Sequence, residues 1–507
     1  MSRLSKNILY NLIGQSCLMI LGFVSVRYIF RRLGADVLGI IYFTNMLNAL
    51  LCGILDMGIG NTAIREISAH YPDDRTYIRD LVRTGSLFFW GIYAVFGLLT
   101  FLWSPFLIEK WVTLSTIEPG VAVKMFRILA IASLVALPKS FYVSLIRGLQ
   151  RMGSINVIDV VISGMQQAGA ILILIFGGNL FGVVTWLALC YGLSIAAYVI
   201  LCSRFFSWTW VIPGYSKYVI PRIRSFMSRM MFISVTGAIY AQVDRVIISK
   251  LMPIRVTGYY GVVYGNVSKG QFLTRAISSA AYPSFSRFYQ ESDSSAFLAQ
   301  YQKIQDAVCF GTVPFFAFFP FAAMPLFSYI FSADIARSLF VPATLLCLGF
   351  FMNGTLTIPY IVLLAANKPG IAARQQLYNL LIVLPLTAVL IMAWGLAGAA
   401  LSVVLYSLFS YIYSIPRVCA ECLKMPAWKW YAHIGKIVLL TVMTYGLAGL
   451  TLALVGRASL LFLALAYGAA TAAYLGGSYF LISPELKNTL LGYLRTFAGI
   501  RKEIPSA

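Results

Sequence analysis

Residues 240–252 read YAQVDRVIISKLM and close an apolar run that begins near Phe226. An aspartate and an arginine, Asp244 and Arg245, stand side by side in it. A charged side chain near a bilayer centre costs about 2.5–3.5 kcal/mol on insertion scales, so these two must be compensated or used. The run is one of many, and together they decide the fold class. The chain of 507 residues is 60% hydrophobic and 11% charged, with a mean hydropathy of +0.82. Soluble domains carry roughly 25% charged residues, so this chain cannot wrap so much apolar surface in a polar coat. It reads as an all-α polytopic membrane protein.

Runs long enough to cross about 30 Å of hydrocarbon predict about 14 transmembrane helices. They lie near 8–30, 37–58, 84–108, 122–146, 155–176, 179–201, 226–251, 257–282, 304–331, 338–365, 372–393, 395–416, 433–455 and 459–481. At Gly177–Asn179 and Trp394–Gly395 one long run must be cut in two, and the glycines justify the cut. The basic, apolar N-terminus is too long for a signal h-region and has no small-residue cleavage site, so it reads as an uncleaved first span.

A net charge of +22 would suggest a nucleic-acid partner in a soluble protein, but here the location of the charges decides and none is expected. With a cytoplasmic N-terminus, about 25 of the 39 Lys and Arg fall in inner loops and tails, and about 9 in outer loops. The inner clusters run from Arg65 to Arg83, Arg204 to Arg229, Arg417 to Lys436 and Lys487 to Lys502. Both termini are therefore expected inside. The eight cysteines are scattered, with Cys419 and Cys422 as a lone CxxC, and imply no disulfide framework. The two histidines, His70 and His433, fall in inner loops, and no metal-ligand cluster, nucleophile elbow or phosphate-cradling glycine loop is present. No catalytic residue, metal or cofactor is expected: the chain does not read as an enzyme.

The two halves resemble each other. RYIFRRL, Arg27 to Leu33, ends the first span and RVIISKL, Arg245 to Leu251, ends the seventh. Each is followed by a short loop and a glycine, Gly39 or Gly258, opening the next helix with aromatics. The expected architecture is two six-helix lobes around a central cleft, plus a C-terminal helix pair. Residues 1–202 form the N-lobe with helices 1–6, and 203–222 a cytoplasmic interfacial linker rich in aromatic and basic residues. Residues 223–420 form the C-lobe with helices 7–12, and 421–507 hold helices 13–14 and a cytoplasmic tail.

The segment from RRLGADVLGIIYF through LDMGIGNTAIREIS resembles the N-terminal signature of Wzx-type polysaccharide flippases, members of the multidrug/oligosaccharidyl-lipid/polysaccharide exporter superfamily. Arg31, Gly34, Gly39, Asp56, Gly58, Gly60, Arg65 and Glu66 carry the match. The opening stretch is similar to the family's second signature, through Gln242, Asp244, Arg245, Gly258 and Tyr259. The resemblance covers roughly residues 1–420. It implies a V-shaped pair of six-helix bundles that moves an undecaprenyl-pyrophosphate-linked oligosaccharide between leaflets of the bacterial cytoplasmic (inner) membrane. A polysaccharide polymerase and a chain-length regulator are the protein partners it suggests, beside the lipid bilayer itself. Many such flippases stop at twelve spans. The lipid II flippase of the superfamily has fourteen, the last pair resembling a groove for the lipid tail, but its arginine-rich first-span signature is not evident here. A lipid II-type precursor flippase and a cation-coupled multidrug exporter stay open as alternatives.

Candidate substrate residues follow from the polar side chains within spans. With Tyr264 at 0° and 100° per residue, Ser268, Gln271, Arg275, Ser278 and Ser279 fall within about 60° of it, and Lys269 lies off the stripe. Such a stripe faces protein or water, not lipid tails. Arg275, Lys269, Arg245 and Arg27 are the candidate cations of an anion-binding cleft. Tyr240, Tyr264, Asn266, Asn45 and Asn48 are candidate sugar contacts. Asp244 either couples transport to a proton or holds a cation in place. Neighbours in sequence project about 100° apart, so Asp244 and Arg245 are not expected to neutralise each other. Asp56, Arg65 and Glu66 are expected at an inner gate or as conformational signature residues, and Lys139 and Asp159 to snorkel to the inner face.

Overall fold

The computed structural model describes residues 3–71, 73–275, 277–278, 285, 294–366, 368–455 and 459–497. Among these the chain is helical throughout, with one isolated bridge between Thr113 and Pro253 and no strand. A bilayer leaves no other choice to separate segments, because each backbone N–H and C=O must be satisfied without water. The chain divides into two compact units, Met1–Val262 with Tyr329–Phe331, and Val263–Ser328 with Ser332–Ala507.

The first unit contains α1 (Arg3–Leu33), α2 (Ala35–Leu55), α3 (Ile59–His70), α4 (Arg75–Pro105), α5 (Pro119–Leu134), α6 (Ala136–Gly148), α7 (Met152–Ile175), α8 (Leu180–Phe206), the single turn α9 (Trp208–Val211), α10 (Val219–Leu251) and most of α11 (Ile254–Val267). Side chains start several of them. Asp74 accepts the Tyr77 N–H at 3.0 Å at the head of α4, and Asn179 the Gly182 N–H at 3.0 Å at the head of α8. The run expected as one span over 122–146 is one membrane-long stretch, Pro119–Gly148, interrupted locally at Val135, three residues before Pro138. Proline has no N–H for the preceding turn, which is where the ladder gives way.

Helix α10 packs along α2, and the division of the chain falls at Val262. A side chain on Gly39 would overlap the Ile254 carbonyl, and one on Gly258 would lie 2.8 Å from the Gly39 nitrogen. The two glycines that match each other in the sequence repeat therefore meet, backbone on backbone. Small residues permit this approach where lipid offers no hydrophobic drive and van der Waals packing must supply the association. Asp36, at the start of α2, is buried and accepts the N–H groups of Ser115, Thr116 and Ile117 at 2.7, 2.6 and 3.3 Å, fixing the turn before α5.

The linker between α8 and α10 is tied to α4. Ser216 donates its N–H to Thr84 Oγ1 at 3.1 Å and its hydroxyl to Asp80 at 3.0 Å, while Trp208, Ile212, Tyr215 and Tyr218 stay exposed. Lys139 and Asp159 do not merely snorkel: Nζ lies 2.9 Å from Oδ1, joining α6 to α7.

The second unit holds the remainder: α12 (Ser294–Ile330), α13 (Ala333–Ala365), α14 (Pro369–Val418), α15 (Ala427–Thr441), α16 (Leu447–Val455), α17 (Leu460–Leu481) and α18 (Pro484–Phe497), with α13 packed along α14. Among the described residues, eleven helical stretches are long and apolar enough to cross a membrane. One, Gly370–Leu423, has 54 residues. Straight, it would reach about 80 Å, against about 30 Å of hydrocarbon. It is broken at Gly395, whose φ of 57° and ψ of −131° only glycine adopts without strain. Exposed Leu98, Val161 and Leu189 in the first unit, and Leu381, Leu439 and Leu465 in the second, give each unit an apolar outer surface suited to lipid.

Candidate functional site

The aspartate of the opening stretch is 4% exposed and fully engaged. Asp244 Oδ2 accepts the Tyr260 hydroxyl at 2.8 Å, and Arg245 Nε lies 3.7 Å from Oδ1. This corrects the expectation that the two neighbours cannot neutralise each other. The arginine stem is long enough to fold back over its own helix, and its guanidinium also donates to the Ala241 carbonyl one turn earlier. Tyr240 lies half-buried one turn before Asp244.

A change of helix type falls within the polar stripe. After Val267 the chain takes a 3-10 turn at Ser268–Gly270, where each residue advances about 120° instead of 100°. Even so, Tyr264 before the turn and Gln271 after it both meet Phe350, so the two keep a common face across it. Glycine stands at position 270 because a side chain there would lie 2.6 Å from the rings of Phe315 and Phe316.

Tyr264 packs edge-on against Phe350 at 5.2 Å between centroids, and Gln271 donates to the Phe350 carbonyl at 2.7 Å. Lys269 donates to Oδ1 of buried Asn266 at 3.1 Å, a neutral partner that leaves its charge uncompensated within that bond. Arg275 is exposed, and Ser279 lies outside the described residues. The four candidate cations divide between the units. Arg27, with its guanidinium 3.5 Å above the Tyr329 ring, and Arg245 belong to the first, and Lys269 and Arg275 to the second.

The two asparagines of α2 part company. Asn48 donates to the Ser133 carbonyl at 2.8 Å and accepts from Cys52, which makes it a clamp between α2 and α5. Asn45 faces a cavity of 140 Å³ with Gln166, Gln167 and Tyr191, whose hydroxyl donates to Asn45 Oδ1 at 3.3 Å. The second unit has a cavity of 220 Å³ lined in part by Asn353, Gln375, Gln376, Tyr406 and Ser410. Neither lining contains a charged residue. Sequence reasoning passed over these glutamines. The signal was a Gln-Gln pair in the predicted fifth span and another in the eleventh, six spans apart.

Asp56 lies at the turn from α2 to α3, where Met57 and Gly58 both have positive φ and the Asp56 carbonyl accepts the Ile59 N–H at 2.8 Å. Glu66 is buried, accepting the Tyr77 hydroxyl at 2.9 Å with His70 Nδ1 3.5 Å away. Arg65 is exposed. These contacts hold the α2–α3–α4 corner in shape.

Comparison with known proteins adds to this geometry. Residues 4–289 match the sequence profile of the polysaccharide biosynthesis protein family. A Shigella flexneri protein named an O-antigen transporter is 21% identical over 397 residues, which are 78% of this chain and 93% of that protein. The solved structure of lipid II flippase MurJ in an inward closed conformation covers 93% of this chain and 98% of its own, at 13% identity and a TM-score of 0.68. An inward-facing multidrug resistance MATE family transporter of the MOP superfamily covers 80% and 95%, at 13% identity and a TM-score of 0.64. The fold is that of these transporters.

Proposed function

Since this chain belongs to the polysaccharide biosynthesis protein family, we propose that it flips an undecaprenyl-pyrophosphate-linked oligosaccharide from the inner to the outer leaflet of the cytoplasmic membrane. The observation that carries the reading is the pair of uncharged cavities, one in each unit, lined by amides, hydroxyls and tyrosines. Sugar hydroxyls both donate and accept, and amides answer both needs. An organic cation would need a carboxylate, and neither lining offers one, which argues against a drug exporter.

The anionic end needs different chemistry. A pyrophosphate leaving water loses hydration that fixed cations and donors must replace, and charge-assisted bonds are roughly twice as strong as neutral ones. In this reading Lys269 and Arg275 meet the pyrophosphate, while the lipid tail stays in the bilayer. Fourteen spans in two six-helix lobes, with both termini cytoplasmic, would alternate access around the headgroup. Asp56, Arg65 and Glu66 then shape the inner entrance. A polymerase and a chain-length regulator would take the product on the far side.

A lipid II-type substrate is the second reading. It is favoured by one observation, the extent of the likeness to the lipid II flippase, which covers 93% of this chain. Export in cells lacking their own flippase separates the two. Restored surface polysaccharide without rescue of a lipid II flippase deletion supports the oligosaccharide, and the converse supports lipid II.

A further inference from the structure

A further cavity lies elsewhere in the second unit, with a volume of 460 Å³. Its walls are α12, α15 and the turn into α18, and the proposed transport pathway makes no use of it. Lys429, His433 and Lys436 line it from α15, at i, i+4 and i+7, so all three share one helix face. Asp306 is 3% exposed and already committed. Its Oδ1 lies 2.8 Å from His433 Nε2, and its Oδ2 accepts the Ser483 N–H at 2.7 Å. That leaves Lys429 and Lys436 as the cavity's available positive charge, and neither makes an ion pair among the described residues. From α12 Gln305, 2% exposed, also lines the cavity. Its amide nitrogen is spent on Cys309 and the Thr355 carbonyl, but its Oε1 is buried without a hydrogen-bond partner. Two cations and an unsatisfied acceptor in one lining suit a ligand that carries both anionic oxygens and a hydroxyl.

The surroundings say what kind of ligand. Exposed Trp428 lines the cavity, and tryptophan favours the headgroup level of a bilayer. Beyond Lys436 the same helical segment turns apolar, with Val438, Leu439, Val442, Met443 and Leu447 exposed on its outer surface. Helix α18 starts at the cavity rim. Its sequence, PELKNTLLGYLRTF, sets leucines 486, 490 and 491 among polar residues, the pattern of a helix lying in an interface. A free phosphate would use only the cations. An amphiphile would use the cations, the acceptor and the apolar face together.

We infer that this cavity binds the headgroup of an anionic glycerophospholipid, with phosphate on Lys429 and Lys436, a glycerol hydroxyl on Gln305, and acyl chains along the outer face of α15 and α16. The site is independent of the substrate assigned above. The helices added beyond the twelfth span then serve to anchor a membrane lipid beside the transporter.

The test is native mass spectrometry of the purified full-length protein in detergent, titrated separately with phosphatidylglycerol, phosphatidylcholine and inorganic phosphate. Phosphatidylglycerol is expected to be retained over phosphatidylcholine, with no displacement by millimolar phosphate. Lys429→Gln with Lys436→Gln should weaken phosphatidylglycerol about thirtyfold, roughly fivefold for each lysine. The Arg pair at the same positions should bind as the parent does. Gln305→Leu should remove any preference for phosphatidylglycerol over phosphatidic acid, which lacks the headgroup hydroxyls. If the glutamine pair cannot be purified, the single substitutions must each show the fivefold loss. Unchanged binding in the glutamine variants, or displacement by inorganic phosphate, overturns the inference.

Discussion

The Tyr260 hydroxyl donates to Asp244 Oδ2 at 2.8 Å, linking α11 to α10 through a side chain that lipid would otherwise punish. With Arg245 3.7 Å away on the other oxygen, the charge that looks out of place in YAQVDRVIISKLM acts as a joint. A charge-assisted bond of this kind contributes about 1.5–3 kcal/mol.

Tyr260→Phe is therefore expected to lower the detergent melting temperature and the amount of protein in the membrane. Asp244→Asn should do so more strongly, because it also strands Arg245. Transport per inserted molecule should stay near the parent in Tyr260→Phe. A Tyr260→Phe protein of normal abundance and stability but with transport abolished would instead make Asp244 a coupling group.

Gly39→Ala should destabilise sharply, since the new methyl overlaps the Ile254 carbonyl and α2 cannot retreat without losing Gly258. Overpacking of this sort costs typically 1–3 kcal/mol. Gly91→Ala, which meets nothing within 4 Å, is the control and should be neutral. Equal membrane levels for the two variants would mean that the close approach is not structurally required.

Much of this was legible in the sequence, and the exceptions have physical causes. Gly395 divides an over-long apolar run because no bilayer accommodates 54 helical residues in line, and its positive φ explains why glycine stands there. The stripe on span eight was readable across Val267 as far as Gln271, which meets Phe350 as Tyr264 does. The 3-10 turn between them, and the rings of Phe315 and Phe316 against Gly270, were not announced by SKG. The pairing of Lys139 with Asp159 needs knowledge of which helices touch, and local spacing carries none. Asp36, buried by three backbone donors some 80 residues away, was hidden for the same reason. The glutamine pairs were visible as letters but not as cavity walls.

Topology follows from the basic asymmetry. Reporter fusions after Lys424 and at the C-terminus should read cytoplasmic, and one at Ser459 external. A Ser459 fusion that reads cytoplasmic would place the last helix pair along the membrane surface instead of across it.

If the uncharged cavities touch sugar, Gln166→Leu and Gln376→Leu should each lower transport about three- to tenfold, the worth of one net hydrogen bond. Abundance should hold, because leucine matches glutamine in volume and suits an apolar helix. Lys429→Gln, at the separate lipid cavity, should leave sugar selectivity unchanged. Identical losses for every oligosaccharide, including one truncated to a single sugar, would remove both residues from sugar recognition.

The central claim is that fixed cations carry a lipid pyrophosphate across the bilayer. Its most direct measurement is the movement of a fluorescent undecaprenyl-pyrophosphate-linked oligosaccharide in proteoliposomes, read by quencher accessibility, for the parent and for Lys269→Ala, Arg275→Ala and Arg275→Lys. The account predicts flipping by the parent well above empty vesicles, at least tenfold slower movement in both alanine variants at equal reconstituted protein, and partial activity in Arg275→Lys, which keeps the charge but loses the guanidinium fork. Parental rates in both alanine variants, or no movement by the parent above empty vesicles, would contradict it.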